Sequence, residues 1–223
     1  MTKQQPNAKT QSEDISTSAT PKAWRRDLNP SLLRILEGTL TAISRHGTTL
    51  LSMTDIAAAA GVSRATLYRY FSQKEDLLAA LAEHISTSFI SGVERAAAGH
   101  EKPVDILRAV VGFVVEFTDQ AKSARQLEVE PQFVLSFLRE HFAEHVDTVA
   151  SALAPFYDYL ERRLALSVDR RALTEALLRF SESTSLVPGG PLWHALPEVL
   201  PAAVEMLLAG IPARRSEAAE CAQ

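Results

Sequence analysis

Cysteine is all but missing from the chain, with one in 223 residues, Cys221. A single thiol closes no disulfide within a chain and offers no thiolate pair to a metal, so the composition fits a reducing compartment. Aromatics are scarce at 7% although 46% of residues are hydrophobic, the balance of an Ala/Leu/Val-rich helical protein rather than a β-sandwich. Period-2 alternation and internal repeats are absent too. No run approaches ~18 uncharged apolar residues. The best, 104–117, is broken by Asp105, Arg108 and Glu116. The first twenty residues lack the apolar segment of a secretory signal. The expectation is a cytoplasmic protein that crosses no membrane. Neither G-x-S-x-G, a P-loop nor G-x-G-x-x-G occurs, and Gly189-Gly190, set between prolines, does not lead into a helix start rich in small residues. No cofactor and no enzyme centre are expected.

The net charge of −4 would seem to disfavour nucleic acid, but it is unevenly spread. Residues 1–92 hold ten Lys/Arg and eight Asp/Glu, a balance of +2, against −6 for residues 93–223. Phosphate contact depends on local charge, so the N-terminal part is the place to look.

Residues 53–79 read as two short helices joined by a tight turn, followed by the start of a longer one. Ser52 is placed to cap the first, with Asp55 at capping-box spacing. Ile56, Ala57 and Ala60 share one face, and small Ala57 lets the next helix cross closely. Gly61 ends the helix where a positive φ is expected. Val62 fills the corner, Ser63 caps the second helix, and Leu67 and Tyr70 recur at i, i+3. That is a helix-turn-helix, whose second helix enters the major groove of DNA. Arg64, Ala65, Thr66 and Arg69 should then face base edges: Arg64 suits a guanine, and Ala65 or the Thr66 methyl a thymine methyl. Ser52 and Thr54 are further phosphate or base-edge candidates.

The run Ile56-Ala57, Ala60-Gly61-Val62-Ser63, Thr66-Leu67-Tyr68, Tyr70-Phe71, Lys74-Glu75, Leu77-Leu78 resembles the N-terminal domain of the TetR family of bacterial transcriptional regulators, over about residues 33–85. The resemblance implies that Tyr68 and Lys74 bind phosphate. Ser63 and Tyr70 complete the DNA-facing set, although Leu67, Tyr70 and Phe71 are expected mainly to pack. It also implies a homodimer on double-stranded DNA, with a small-molecule effector housed in the C-terminal half.

The expected organisation is all-α: a tail at 1–28, a three-helix DNA-binding domain at 29–75, a ligand-binding and dimerisation domain at 76–211, and a tail at 212–223. Asn29-Pro30 opens a first helix that Gly47 closes after His46, and Ser72 with Glu75 forms a second capping box that starts a helix to about Ser91. Gly92, Gly99 and Pro103 punctuate the passage onward. Helices follow at roughly 103–120, 124–139, 142–166, 169–186 and 196–210, with Pro131 splitting or kinking the second, Pro155 kinking the third, Asp169 as a cap and 187–191 as a turn.

Four further features carry competing readings. Trp24-Arg25-Arg26 is either an arm for the minor groove or a solvated charge run. His141, Glu144 and His145 spell H-x-x-E-H, an inverted zinc-peptidase pattern, which would make the chain a helical metal protein or enzyme. No third ligand is marked, and the surface-helix reading is preferred. Phe113, Phe117, Phe133, Phe137, Tyr157 and Phe180 lie on apolar faces and suit a core by themselves. The resemblance makes them candidates to line an effector cavity, with Glu116, Glu128 or Glu182 orienting a ligand. The resemblance also assigns the last two long helices to a dimeric four-helix bundle, through Leu173, Leu177, Leu196, Val199, Leu200, Val204, Leu207 and Leu208.

Overall fold

The computed structural model describes residues 29–123, 131–186 and 190–210, and among these the regular structure is α-helix alone, as expected. The two tails, the Trp24-Arg25-Arg26 arm, Cys221, Glu128 and most of the 187–191 turn lie outside the described residues.

Helix α1 (Pro30–Leu50) begins as its sequence dictates: the Asn29 side chain accepts from the Ser31 N–H at 2.9 Å, and proline takes the first turn. Gly47, at φ 67°, breaks the helical path where expected, and one further turn runs on to Leu50. Helices α2 (Met53–Ala60) and α3 (Arg64–Tyr70) follow, and then the long α4 (Lys74–Ala98). Two expectations for α4 are corrected. Its N-cap is Gln73, not Ser72, because the Ser72 hydroxyl and the Gln73 amide both donate to the Asp76 carboxylate, each at 3.0 Å. Gly92 does not end the helix either. It is buried within it, because a Cβ there would lie 2.0 Å from Cζ of Phe113.

Beyond α4 come α5 (Pro103–Ser123), α6 (Pro131–Ala152), α7 (Ala154–Leu164), α8 (Arg170–Leu186) and α9 (Pro191–Ala209). The expected break near 140 is absent: one helix covers Pro131–Ala152, and the chain breaks at Leu153 instead. Pro131 opens α6, whereas Pro155 kinks no helix, because the chain has already broken at Leu153. Each sits in a first turn, where a missing N–H leaves no hydrogen bond unmade. Asp169 caps α8 as expected, accepting from Ala172 N–H at 2.9 Å. Helix α9 starts at Pro191 rather than 196 and contains Pro197 and Pro201. By length and composition it is apolar enough to cross a membrane, which the reading of 104–117 as the most apolar stretch missed. It packs along α5 and buries Trp193, Pro201 and Leu208.

The helices enclose two apolar clusters. In the first, Ile35, Leu36 and Ile43 of α1 meet Ile56, Ala57 and Leu67 of α2 and α3. The second joins Val110, Val111 and Val114 of α5 to Val146 and Val149 of α6, Phe156 of α7 and Leu178 of α8. Helix α4 belongs to both, giving Leu77, Leu81 and Ile85 to the first and Phe89 and Val93 to the second. The long helix is therefore a strut common to the two units.

Candidate functional site

The helix-turn-helix is assembled from local signals that all act. Ser52 Oγ accepts from the Asp55 N–H at 3.2 Å, and the Asp55 carboxylate accepts from the Ser52 N–H at 3.0 Å, completing the capping box. Gly61 adopts φ 62°, ψ 34°, and the Val62 N–H reaches back to Ala57 O at 3.0 Å. Ser63 then caps α3, accepting from the Thr66 N–H at 3.0 Å while the two hydroxyls meet at 2.9 Å. Leu67, fully buried, pins α3 onto α1 and α2.

What remains outside is the candidate DNA edge. Arg64, Ala65, Tyr68 and Arg69 are exposed on α3, and Thr54 is exposed on α2. Arg69 lies over the Tyr70 ring at 5.4 Å, so half-buried Tyr70 both packs the domain and steadies an exposed cation. The hydroxyls of Ser52, Ser63 and Thr66 are engaged in capping. Lys74 also braces the domain, since its ammonium donates to the Thr48 carbonyl at 2.8 Å and ties the start of α4 to the end of α1. Nothing in the sequence marked that bond, nor the contact at Gly38, where a Cβ would lie 2.4 Å from Cα of Ala60. A backbone-on-backbone crossing of this kind holds α2 rigidly against α1.

The six candidate effector-site aromatics divide into three groups. Phe113 and Phe117 stack near each other at 5.7 Å and lie 5.9 and 5.2 Å from Phe89 of α4. They line a cavity of about 270 Å3 between α4 and α5, with Gly92, Arg95, Glu116 and Gln120. Phe133 and Phe137 reach toward the N-terminal cluster, and Phe137 also meets the His145 ring at 5.9 Å. Tyr157 belongs to the main core; its hydroxyl meets that of Thr174 at 2.8 Å, and burial raises its pKa. Phe180 stands apart, 45% exposed and against Trp193. Of the carboxylates suggested for ligand contact, Glu116 lines the cavity. Glu182, half-buried on α8, is raised to about 7 by burial and is not among the lining residues.

His141, Glu144 and His145 do not form one centre. His145 is buried, its Nε2 2.9 Å from the Ser86 hydroxyl, and its ring lies 4.2 Å from that of Phe89. Burial, aided by the neighbouring His141, lowers its pKa to about 4. Glu144 faces a different surface, an open groove of about 810 Å3 shared with Glu94 and Asp147, and Asp147 is paired with Arg171. Neighbours on a helix point about 100° apart, which separates Glu144 from His145. Among the described residues no group of three His, Cys, Asp or Glu is placed to hold a metal.

The expected dimer residues also separate. Leu177, Leu196, Leu200 and Val204 pack against the chain's own core, and Leu208 is buried. Leu173, Val199 and Leu207 point outward, joined by Leu192 and Met206.

Residues 35–81, which contain all of α2 and α3, match the family model for bacterial regulatory proteins of the tetR family. An uncharacterised HTH-type transcriptional regulator of Mycobacterium tuberculosis is 32% identical over 103 residues, 46% of this chain and 44% of that protein. The HTH-type transcriptional repressor LfrR of Mycolicibacterium smegmatis is 44% identical over 62 residues, 28% of this chain and 32% of that one. The chain thus matches less than half the length of these curated relatives. A transcriptional regulator of Pseudomonas aeruginosa PAO1 superposes with a TM-score of 0.59 at 19% identity, over 84% of this chain and 95% of that one, a likeness of fold. Taken with the helix-turn-helix geometry, these matches identify residues 35–81 as a helix-turn-helix unit similar to that of bacterial regulatory proteins of the tetR family.

Proposed function

We propose that the chain is a cytoplasmic, homodimeric, DNA-binding transcriptional repressor that leaves a palindromic operator when a small apolar or amphipathic effector binds. The observation that carries this reading is the exposed edge of α3: Arg64, Ala65, Tyr68 and Arg69 face outward from a helix whose caps and buried Leu67 leave it no freedom to rotate. Arg64 and Arg69 supply groove and phosphate contacts, and Lys74 adds charge at the start of α4. A palindrome needs two such edges about 34 Å apart, and the uncovered apolar residues of α8 and α9 support a two-fold partner. Repression is the role printed in the name of the relative LfrR.

Coupling is supported by α4. It packs in both clusters, so a ligand that favours a different seating of its Phe89–Val93 half also reorients the Leu77–Leu81 half. The test is a duplex selected from a random pool by the purified chain, titrated against an unselected duplex over a salt series. Preference for the selected site and a steep salt slope are expected. Equal affinity for both at physiological salt overturns the reading. A thermal-shift screen of acyl chains, aromatics, lactones, sugars and nucleotides then tests the effector, since a ligand of the native state raises its melting temperature. Sugars or nucleotides alone shifting the transition and releasing DNA would overturn the apolar-effector part.

A further inference from the structure

The cavity between α4 and α5 has an unusual floor. Gly92 brings no side chain to it, and the Phe113 ring lies where a Cβ would be, with Cζ 2.0 Å from that position. Phe113 and Phe117 form walls, and Arg95, Glu116 and Gln120 supply the polar groups. Gln120 donates through Nε2 to the Glu116 carboxylate at 2.9 Å, which fixes which end of its amide is which. Its Oε1 is buried and has no hydrogen-bond partner.

We propose that this cavity binds a small, neutral, flat aromatic molecule carrying one hydrogen-bond donor, and that the occupant acts on α4 by shifting the Phe113 ring off Gly92. This rests on the regulator reading above and names the effector class. Size follows from volume: about 270 Å3 holds a bicyclic ring system. Flatness follows from the walls, whose ring faces and edges favour another ring. Neutrality follows from the polar groups, where one guanidinium and one carboxylate leave no surplus charge to pair. The donor is set by Gln120, whose buried oxygen is an unmade hydrogen bond that only a donor completes. That oxygen is screened from solvent, so in the proposed complex the amide rotates about its soft terminal torsion, exchanging its bond to Glu116 for one from the occupant's donor. Transmission follows from Gly92. The ring rests directly on α4 backbone, so the ring and the helix cannot move independently, and α4 continues into the DNA-binding cluster.

The probes are indole and N-methylindole, alike in shape and differing in the donor, titrated calorimetrically into the purified chain. Indole should bind about tenfold more tightly, the worth of one net hydrogen bond, and Gln120→Leu should abolish the difference. Equal affinities in the wild type, a preference that survives Gln120→Leu, or no binding of either probe overturns the proposal. Gly92→Ala supplies the second arm, since its methyl displaces the Phe113 ring without any ligand. At a temperature where circular dichroism shows the variant fully folded, selected-duplex affinity should fall about tenfold, within the usual span of allosteric coupling. Gly92→Ala/Phe113→Leu, which removes the obstructing ring atoms, should restore it. Unchanged affinity in folded Gly92→Ala, or no recovery in the double variant, overturns the transmission route. Selected-duplex binding by the unliganded wild type reports separately on the regulator reading, so the two can fail independently.

Discussion

Alanine at position 38 should cost stability even though alanine is the better helix former. A Cβ there would lie 2.4 Å from Cα and 2.5 Å from N of Ala60. Both are backbone atoms of buried Ala60, and no side-chain rotation relieves the overlap. Replacing a helix-interior glycine by alanine gains about 1 kcal/mol from propensity. Forcing an extra methyl against an unyielding neighbour costs about 1–3 kcal/mol or more, and an approach this short belongs at the upper end. The net expectation is a loss of about 2 kcal/mol. For a chain of this size that is a fall of roughly 4–8 °C in Tm, read by circular dichroism. Selected-duplex affinity should fall as well, because α2 must shift and α3 rides on it, although no DNA-facing atom has changed. Gly99→Ala is the control, at φ −85° with nothing within 4 Å of its would-be Cβ. It should stay within about 0.5 kcal/mol of wild type. A Gly38→Ala protein that melts at or above the wild-type temperature and binds DNA normally would refute the close crossing of α1 and α2.

Lys74→Ala should weaken binding to all sequences alike and flatten the salt slope, while also costing about 1 kcal/mol of stability through the lost bond to Thr48. Arg64→Ala should instead relax preference at one base position per half-site, by about 1–3 kcal/mol; identical changes of preference in both variants would defeat this sorting of contacts. Val199→Glu/Leu207→Glu places carboxylates on the uncovered side of α9 and should sediment as a monomer without operator affinity, whereas an intact dimer would move the interface elsewhere. His145, at about 4 when folded against 6.5 for the free side chain, takes its proton more readily in the unfolded chain, so it contributes stability above pH 6.5 that drains away as pH falls toward 4. The urea midpoint should therefore drop between pH 7.5 and 5 by the equivalent of at most about 2 kcal/mol, and His145→Gln should lessen that pH dependence.

The helix-turn-helix was legible because each of its determinants acts within four residues along the chain. Ser52 with Asp55, Gly61 at positive φ and Ser63 with Thr66 all behave as their types and spacing demand. What escaped depends on what lies opposite. Gly92 resembles a helix stop in sequence, and only the Phe113 ring explains a glycine inside α4. Pro131 and Pro155 do mark breaks in regular pairing, but the same residue type serves a first turn or a kink, and spacing alone does not separate the two. The H-x-x-E-H pattern fails for a similar reason: His145 is held by Ser86, a partner far away in sequence, while Glu144 looks onto another surface.

The last helix shows why an apolar pattern does not say what it packs against. In α9, Leu196, Leu200 and Val204 repeat at four-residue spacing and meet the chain's own core. Val199 and Met206, spaced by seven, fall on another side with Leu207, which is 70% exposed. Both stripes are equally apolar, so nothing in the sequence distinguishes them. Only 17% of the most apolar stretch of the helix is buried, and apolar surface left in water costs about 25 cal/mol per Å2. Trp193 Nε1–H donates to Asp119 on α5 at 3.0 Å, and Arg163 donates to the Leu208 carbonyl at 2.8 Å, so both ends of α9 are tied to its own chain. A helix anchored in this way cannot roll its second stripe inward. The proposed second copy, meeting that stripe about a two-fold axis, would cover the exposed stripe of each chain at once and set the spacing of the two α3 edges.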